Sequence, residues 1–460
     1  MRMNARRPAR RLVVPLLLGA MLALAGCAPG TRVAGPADVP VGPQSPALDE
    51  ARALARDAQA LAGSARRDAD ARIDRLLSQL DNATLAREAA ALPDGDALYP
   101  YAGRAMLQRG LPLPRPFARS GWRFDAGNRP PAERDGYRPP VRVAVLLPLT
   151  GSLATAAAPV RDGFMAGYHN ETRRRPDVQF YDTATGAAAA YDRAVEAGSD
   201  FVVGPLGRDE VGVLFGRGAL EVPVLALNRA VTAPPSGAAS FSLSPEDEAN
   251  AAAEALLARG ATRVLAIGGS DDTQRRAIAA LRDALGARGV AVATATAATA
   301  DFGALAQAEG GADAVFLALR GAEARAVAPK LALAGMSGKP MYATSALLSG
   351  TGKPAEDRVL DGIVFPGETW TTRGLPGLPP AAATAARIST ARGPAARLFA
   401  FGHDAWLVTA YLERLATQAD GRVEAATGVL RLDGFGNVLR TPAWSTFRDG
   451  VAVPFADARG

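Results

Sequence analysis

The 460-residue chain holds one cysteine and two histidines. One cysteine excludes a disulfide framework, and so few Cys and His residues exclude a Cys/His zinc site or a multi-histidine metal centre. Lysine is nearly missing too: Lys330, Lys339 and Lys353 are the only three among 52 basic residues, so arginine carries the positive charge. No G-x-x-x-x-G-K-[ST] loop, no G-x-G-x-x-G after a strand, no G-x-S-x-G elbow and no H-E-x-x-H helix occurs. Signatures of phosphate cradling, nucleophilic hydrolysis and zinc proteolysis are therefore lacking. His169 and His403 lie over 230 positions apart with no nucleophile beside either. Nothing in the chain points to catalysis, so no catalytic residue and no metal ligand is assigned and no cofactor is expected.

What is present is ordinary globular composition, 48% hydrophobic and 21% charged, over a length that suggests about three domains. The formal charge of +6 invites a nucleic-acid or membrane-surface reading. The N-terminus removes most of it. Met1 to Arg11 carries five Arg and no acid, Leu12 to Gly26 is mostly apolar, and Cys27 follows. A basic start, a short apolar stretch and a small-residue cut form a secretory signal. Leu24-Ala25-Gly26-Cys27 matches a bacterial lipobox, which predicts cleavage after residue 26 and lipidation of Cys27. Losing five Arg and no acid lowers the charge from +6 to +1, and a nucleic-acid partner is no longer called for. Two or more acyl chains anchor a protein stably. Ala28, rather than Asp, follows the Cys, which favours the outer membrane, with the protein facing the periplasm.

Residues 27–46 hold five Pro and three Gly and read as a flexible tether. Over 47–110, Leu48, Ala51, Leu54, Ala55 and Ala58, then Ile73, Leu76, Leu77 and Leu80, recur at helical spacing, predicting a small helical region. Residues 111–140 contain seven Pro and read as a linker, with Trp122 and Phe124 docking part of it. From Val141 to the end, β-rich runs such as Val141–Leu149, Phe201–Gly204, Arg263–Gly268 and Ala314–Leu319 alternate with helix-length segments. That alternation predicts an α/β fold of doubly wound parallel sheets, with too many units for one sheet, hence two lobes and a cleft at the strands' carboxyl edges. Gly428–Asp433 and Asn437–Arg440 read as a β-hairpin.

Polar clusters in this region mostly have structural explanations. Ser244-Pro245-Glu246-Asp247-Glu248 suits a helix start, as does Asp271-Asp272. Arg173-Arg174-Arg175 suits a helix C-terminus, and His403 a helix start. The turn Thr150-Gly151-Ser152 after the first strand offers backbone N–H groups and hydroxyls at the cleft. The candidate cleft comprises Thr150, Gly151, Ser152, Gly204, Pro205, Asn228 and Ser345.

Several blocks, taken together, resemble the LppC/LpoA family of penicillin-binding protein activators. They are VLLPLTG at Val145–Gly151, VRDGF at Val160–Phe164, DFVVGPL at Asp200–Leu206, PVLALNR at Pro223–Arg229, FSLSPEDEA at Phe241–Ala249, YATS at Tyr342–Ser345, FGHDAW at Phe401–Trp406 and TGVLRLD at Thr427–Asp433. The similarity runs from Val141 to Val453, about two-thirds of the chain. It implies a two-lobed fold like that of the type I periplasmic binding proteins, on an outer-membrane lipoprotein that stimulates a class A penicillin-binding protein. The helical region departs from the family, whose best-known members carry a long helical repeat domain there. The rival expectation is a periplasmic solute receptor for an amino acid or cell-wall fragment. Amino-acid-binding relatives of that fold place hydroxyls after the second strand's Gly, whereas Gly204 is followed by Pro205-Leu206-Gly207-Arg208-Asp209. An envelope hydrolase is a third possibility, with no nucleophile–base pair to support it.

Overall fold

A computed structural model describes residues 46–118, 121, 122, 124 and 129–456; Cys27, the signal and the tether expected before residue 46 lie outside them. Four helices come first: α1 (Pro46–Asp57), α2 (Gly63–Ser78), α3 (Asn82–Ala91) and α4 (Tyr99–Gln108). Their apolar faces, chiefly Leu48, Ala51, Ile73, Leu77, Leu85 and Met106, close on one another as a core of their own. Leu85 begins the buried face of α3, whose N-cap Asp81 accepts from the Thr84 amide at 2.9 Å.

The chain then enters a first lobe through β1 (Arg142–Leu147), α5 (Ala154–Asn170), β2 (Asp177–Asp182), α6 (Ala187–Glu196), β3 (Phe201–Val203), α7 (Arg208–Phe215), β4 (Val224–Ala226) and β5 (Ala238–Phe241). A crossing at Ser242–Ser244 leads into a second lobe. It is built from α8 (Pro245–Ala258), β6 (Arg263–Gly268), α9 (Asp272–Gly286), β7 (Ala291–Thr296), α10 (Gly303–Gln307), β8 (Ala314–Ala318), α11 (Gly321–Leu333), β9 (Met341–Ala343), α12 (Pro354–Asp357) and β10 (Val364–Gly367). The chain returns through α13 (Thr369–Arg373), α14 (Ala381–Arg387) and the 23-residue α15 (Ala395–Thr417) to β11 (Val423–Ala425), β12 (Gly428–Leu432) and β13 (Asn437–Thr441) in the first lobe. It then crosses once more to β14 (Ala443–Arg448) and β15 (Val451–Pro454).

The two sheets are ordered β11-β12-β13-β5-β4-β3-β1-β2 and β15-β14-β10-β9-β8-β6-β7. Their centres are parallel, because each strand returns through a helix on the sheet face. One edge of each is antiparallel: in the first lobe β12 and β13 form the hairpin expected from Gly428–Asp433 and Asn437–Arg440, whereas the added β11 and the β10-β14-β15 edge of the second sheet were not expected. The β11–β12, β12–β13 and β14–β15 connections are short turns such as Gly434–Gly436, and only antiparallel pairing can close over so few residues.

Two helices from opposite ends of this region make the tightest contact of the first lobe. At Gly163 of α5 a Cβ would collide with the carbonyl of Phe399, and at Gly402 of α15 with the carbonyl of Val160, so glycine at both positions lets the backbones touch. Phe164 and Tyr168 then meet Trp406 edge to face, with ring centroids 5.7 and 5.5 Å apart. His403, expected at a helix start, lies in the buried middle of α15.

The four helices at the N-terminus and the linker are not free-standing. The β12–β13 turn pushes Phe435 edge-on against Tyr101 of α4, centroids 4.7 Å apart, with the Arg104 guanidinium 4.4 Å over its ring. A Cβ on Gly434 would lie 2.8 Å from Phe117 and 2.9 Å from Pro100, so the turn tip needs glycine to seat there. On the other side, a cavity of about 260 Å³ is shared by α2 and α4 with α8 and α9, and Arg109, Asn250, Glu254 and Asp283 line it. The helices thus touch both lobes. Trp122 and Phe124 stack on each other against the first-lobe core, as their composition suggested. Arg173, expected as a solvated helix end, instead pairs with Glu171 at 2.8 Å and Asp135 at 2.9 Å and lies 3.7 Å over Tyr137, tying the linker down.

Candidate functional site: the interlobe hinge and cleft

All three chain crossings between the lobes converge on one buried side chain, Glu248. It belongs to α8, whose core stripe runs Pro245, Glu248, Ala249, Ala252, Ala253 and Leu256, so helical periodicity carries a carboxylate inward among alanines. Ser244 caps this helix, its Oγ accepting from the Asp247 amide at 3.3 Å. Glu248 is 2% exposed. Its carboxylate accepts from the Ser345 amide and hydroxyl, both at 2.9 Å, from Arg440 Nη2 at 2.7 Å and from Arg397 Nη2 at 2.5 Å. Arg397 also donates to the Ser345 hydroxyl.

These partners come from every side of the hinge. Ser345 follows β9 in the second lobe, Arg397 lies in the first turn of α15, and Arg440 sits in β13 just before the last crossing. Arg440 Nη1 donates to the Thr427 carbonyl at 3.1 Å. The Thr427 amide and hydroxyl donate to Asp404 of α15 at 2.7 and 2.6 Å, and the Ala426 amide to its other oxygen at 2.7 Å. Glu368, after β10, places Oε1 3.2 Å from Arg397 Nε without a well-directed hydrogen bond. Burial by itself would raise the Glu248 carboxyl, but Arg397, Arg440 and the Ser345 bonds hold it below the ordinary range. Burial pushes the Glu368 carboxyl up, against the pull of the same two arginines.

Beside this latch lies an interlobe cavity of about 280 Å³. Leu206, Asn228, Arg229 and Ser242 face it from the first-lobe side, Glu246, Thr273 and Arg276 from the second. Most of its charges are paired: Arg229 bonds Asp247 at 3.0 and 3.2 Å, and Arg276 bonds Glu246 at 3.0 Å, while Arg208, also facing it, is exposed and has no hydrogen bond or ion pair among the described residues. The buried Ser242 Oγ and Arg229 Nε have no partner among the described residues.

Of the seven expected cleft residues, Asn228 lines this cavity, its Nδ2 donating to the Leu206 carbonyl at 2.9 Å. Gly204 and Pro205 lie beside it in the sheet edge, joined by a cis peptide bond, and the Pro205 carbonyl accepts from the Leu227 amide at 3.0 Å. Thr150 turns away, donating to Asp182 at 2.6 Å, and holds that carboxyl below its usual range together with backbone amides. Gly151 and Ser152 are exposed in the same turn. Ser345 is in the latch rather than at the cavity. Glu248, Arg397 and Arg440 were not singled out from the sequence. The signals were there, since Glu248 sits on a helix's core stripe and Arg440 shares the buried phase of β13 with Val438.

No group of three or more His, Cys, Asp or Glu side chains among the described residues is arranged to hold a metal ion. Asp404 and His403 sit 3.3 Å apart, but every oxygen of Asp404 is engaged by the β11–β12 turn, which makes the pair a structural clamp.

Two sheets joined by three crossings, with a cleft at their carboxyl edges, define a periplasmic-binding-protein-like fold. Within that class the chain belongs to the LppC family, whose model, "LppC putative lipoprotein", matches residues 137–301 and 301–450. A segment of 123 residues is 37% identical to the penicillin-binding protein activator LpoA of Photobacterium profundum, covering 26% of this chain and 20% of that relative. The chain thus spans about a fifth of the curated relatives it matches. The C-domain of LpoA from Haemophilus influenzae, a regulator of PBP1A, superposes with TM-score 0.60 at 22% identity, over 68% of this chain and all of that one. A "putative branched-chain amino acid ABC transporter" from Chromobacterium violaceum superposes with TM-score 0.54 at 28% identity, over 67% of this chain and all of that one.

Proposed function

We propose that this protein is a non-catalytic lipoprotein, anchored through Cys27 in the outer membrane, that activates a class A penicillin-binding protein and so regulates peptidoglycan synthesis. The family and the named activators among its relatives supply the class of function. The observation that carries it in this molecule is the Glu248 latch. A receptor that closes on a solute keeps its hinge free and its cleft charges available for the ligand. Here two arginines, a carboxylate and a serine from both lobes satisfy one another across the hinge, and helices α2 and α4 touch both lobes. A body held at one angle is suited to presenting its outside to a protein partner. Detergent-solubilised full-length chain should retain one of its organism's class A penicillin-binding proteins in a pull-down; retention of none of them would sink the proposal. Cys27→Ala should release the protein from the membrane fraction, and continued outer-membrane fractionation would remove the anchor.

The solute-receptor reading keeps one specific support, the unpartnered Ser242 Oγ and Arg229 Nε at the interlobe cavity. A ligand seated there would raise the melting temperature by mass action, so a thermal-shift screen of amino acids and muropeptides separates the two readings.

A further inference from the structure

A second groove differs from the cleft in character and shares none of its lining residues. Helix α5 buries one face in the first lobe through Ala157, Val160, Gly163, Phe164 and Gly167. Its next face, which carries Met165 and Ala166, looks across at Leu378, Ala383, Arg387 and Ile388 of the segment between α13 and α15. Together they enclose an apolar groove of about 490 Å³, open to solvent.

The charge around it is one-sided. Residues 369–396 contain Arg373, Arg387 and Arg392 and no acid. Arg373 donates to the carbonyls of Trp444 and Phe455, and Arg392 to the Ala385 carbonyl, so both are spent on backbone and keep their charge. Arg387, at the exposed end of α14, has no hydrogen bond or ion pair among the described residues. The one acid at the groove, Asp162, is held by Arg161 at 2.9 Å and by Thr390 at 2.7 Å and does not neutralise Arg387. An apolar floor beside one uncompensated arginine, Arg387, favours apolar side chains flanked by a carboxylate.

We infer that this groove is the surface on which the chain receives its protein partner, through a partner segment that carries apolar anchors beside acidic residues. The inference rests on the proposed function and adds the place and chemistry of the contact. The groove is the right size for a few side chains, and its position outside the cleft leaves the latch undisturbed.

The test uses full-length chain in detergent against the organism's purified class A penicillin-binding proteins, immobilised, at two salt concentrations. Ala383→Trp fills the groove from an exposed position, Arg387→Glu reverses its rim, and Arg282→Glu makes the same charge change on exposed α9. Ala383→Trp and Arg387→Glu should each weaken binding about tenfold or more, with unchanged melting temperature, and Arg282→Glu less than about twofold. Added salt should weaken the wild type and affect Arg387→Glu less. Wild-type binding that both groove variants retain overturns this surface alone. A wild type that binds none of these proteins overturns the proposed function and the surface with it. Ala383→Trp converting a dimer to a monomer, with partner binding intact, assigns the groove to a second copy and likewise overturns the inference. Should Ala383→Trp lower the melting temperature, Arg387→Glu at the solvent-exposed rim decides.

Discussion

The interlobe cleft and the α5–α14 groove are opposites. In the cleft almost every charge has an internal partner: Glu248 with Arg397 and Arg440, Arg229 with Asp247, Arg276 with Glu246. In the groove the floor is apolar and Arg387 is unpaired among the described residues. Polar groups that satisfy one another hold a shape and have little left to offer a ligand, and in the cleft only Arg208, the Ser242 Oγ and the Arg229 Nε are left over among the described residues. Apolar surface beside unspent charge has its free energy still to gain from contact. The difference teaches that one fold can spend the polar groups of its cleft largely on one another while leaving apolar surface beside a free charge on its outside.

The largest effect should come from breaking the latch. Glu248→Ala leaves two arginines without their carboxylate, Arg440 with only 2% of its side chain exposed, and should cost about 3–5 kcal/mol in denaturant unfolding. A loss below about 1 kcal/mol would mean that the hinge does not depend on the pair. Next comes Gly402→Val, which forces a side chain into the α5 backbone and should cost about 1–3 kcal/mol or more, or leave the protein insoluble. Wild-type stability in that variant would contradict the close helix crossing. Phe435→Ala removes the ring between Tyr101 and Arg104 and should cost about 1–2 kcal/mol. Limited proteolysis of that variant should open the chain between α4 and β1 sooner than in wild type.

The smallest effect is one of pH, and it has opposite signs at the two hinge carboxylates. Glu248, held low in the folded state, contributes stability present above the ordinary carboxylate range and lost as pH falls through its lowered value. Glu368, pushed up by burial, binds its proton more tightly when folded, so its contribution is present at low pH and lost as pH rises. Glu368→Gln should therefore gain melting temperature relative to wild type as pH rises from about 4.5 to about 7.5, whereas Glu248→Gln should show a constant deficit over that interval and lose the deficit as pH falls below about 4.5. Curves that move in the same direction would refute the different environments of the two groups.

Much of the scaffold is legible in the residues. The central strands are continuous apolar runs such as Arg263–Gly268, which match the observed strand end to end, because parallel strands are buried on both faces. Strand β5, Ala-Ala-Ser-Phe, is not legible that way. Low strand propensity is overruled there by pairing with β4 and β13 on either side. The strands β14 and β15 are equally silent, because β14 pairs antiparallel with β10 across about 80 residues of chain and β15 in turn pairs only with β14. The site was less legible than the fold for the same reason. Glu248 looks like one more acid at a helix start, and only the approach of Ser345, Arg397 and Arg440 makes it the hub of the hinge. Asn228, by contrast, reached the cavity because strand ends on a doubly wound sheet point there by rule.

The effect of the protein on a synthase is the most direct readout of its role. Purified class A penicillin-binding protein from the same organism, given lipid-linked precursor with and without the full-length chain, should make more highly cross-linked peptidoglycan when the chain is present. The stimulation should persist in the presence of free amino acids and muropeptides. Equal cross-linking with and without the protein would contradict the account.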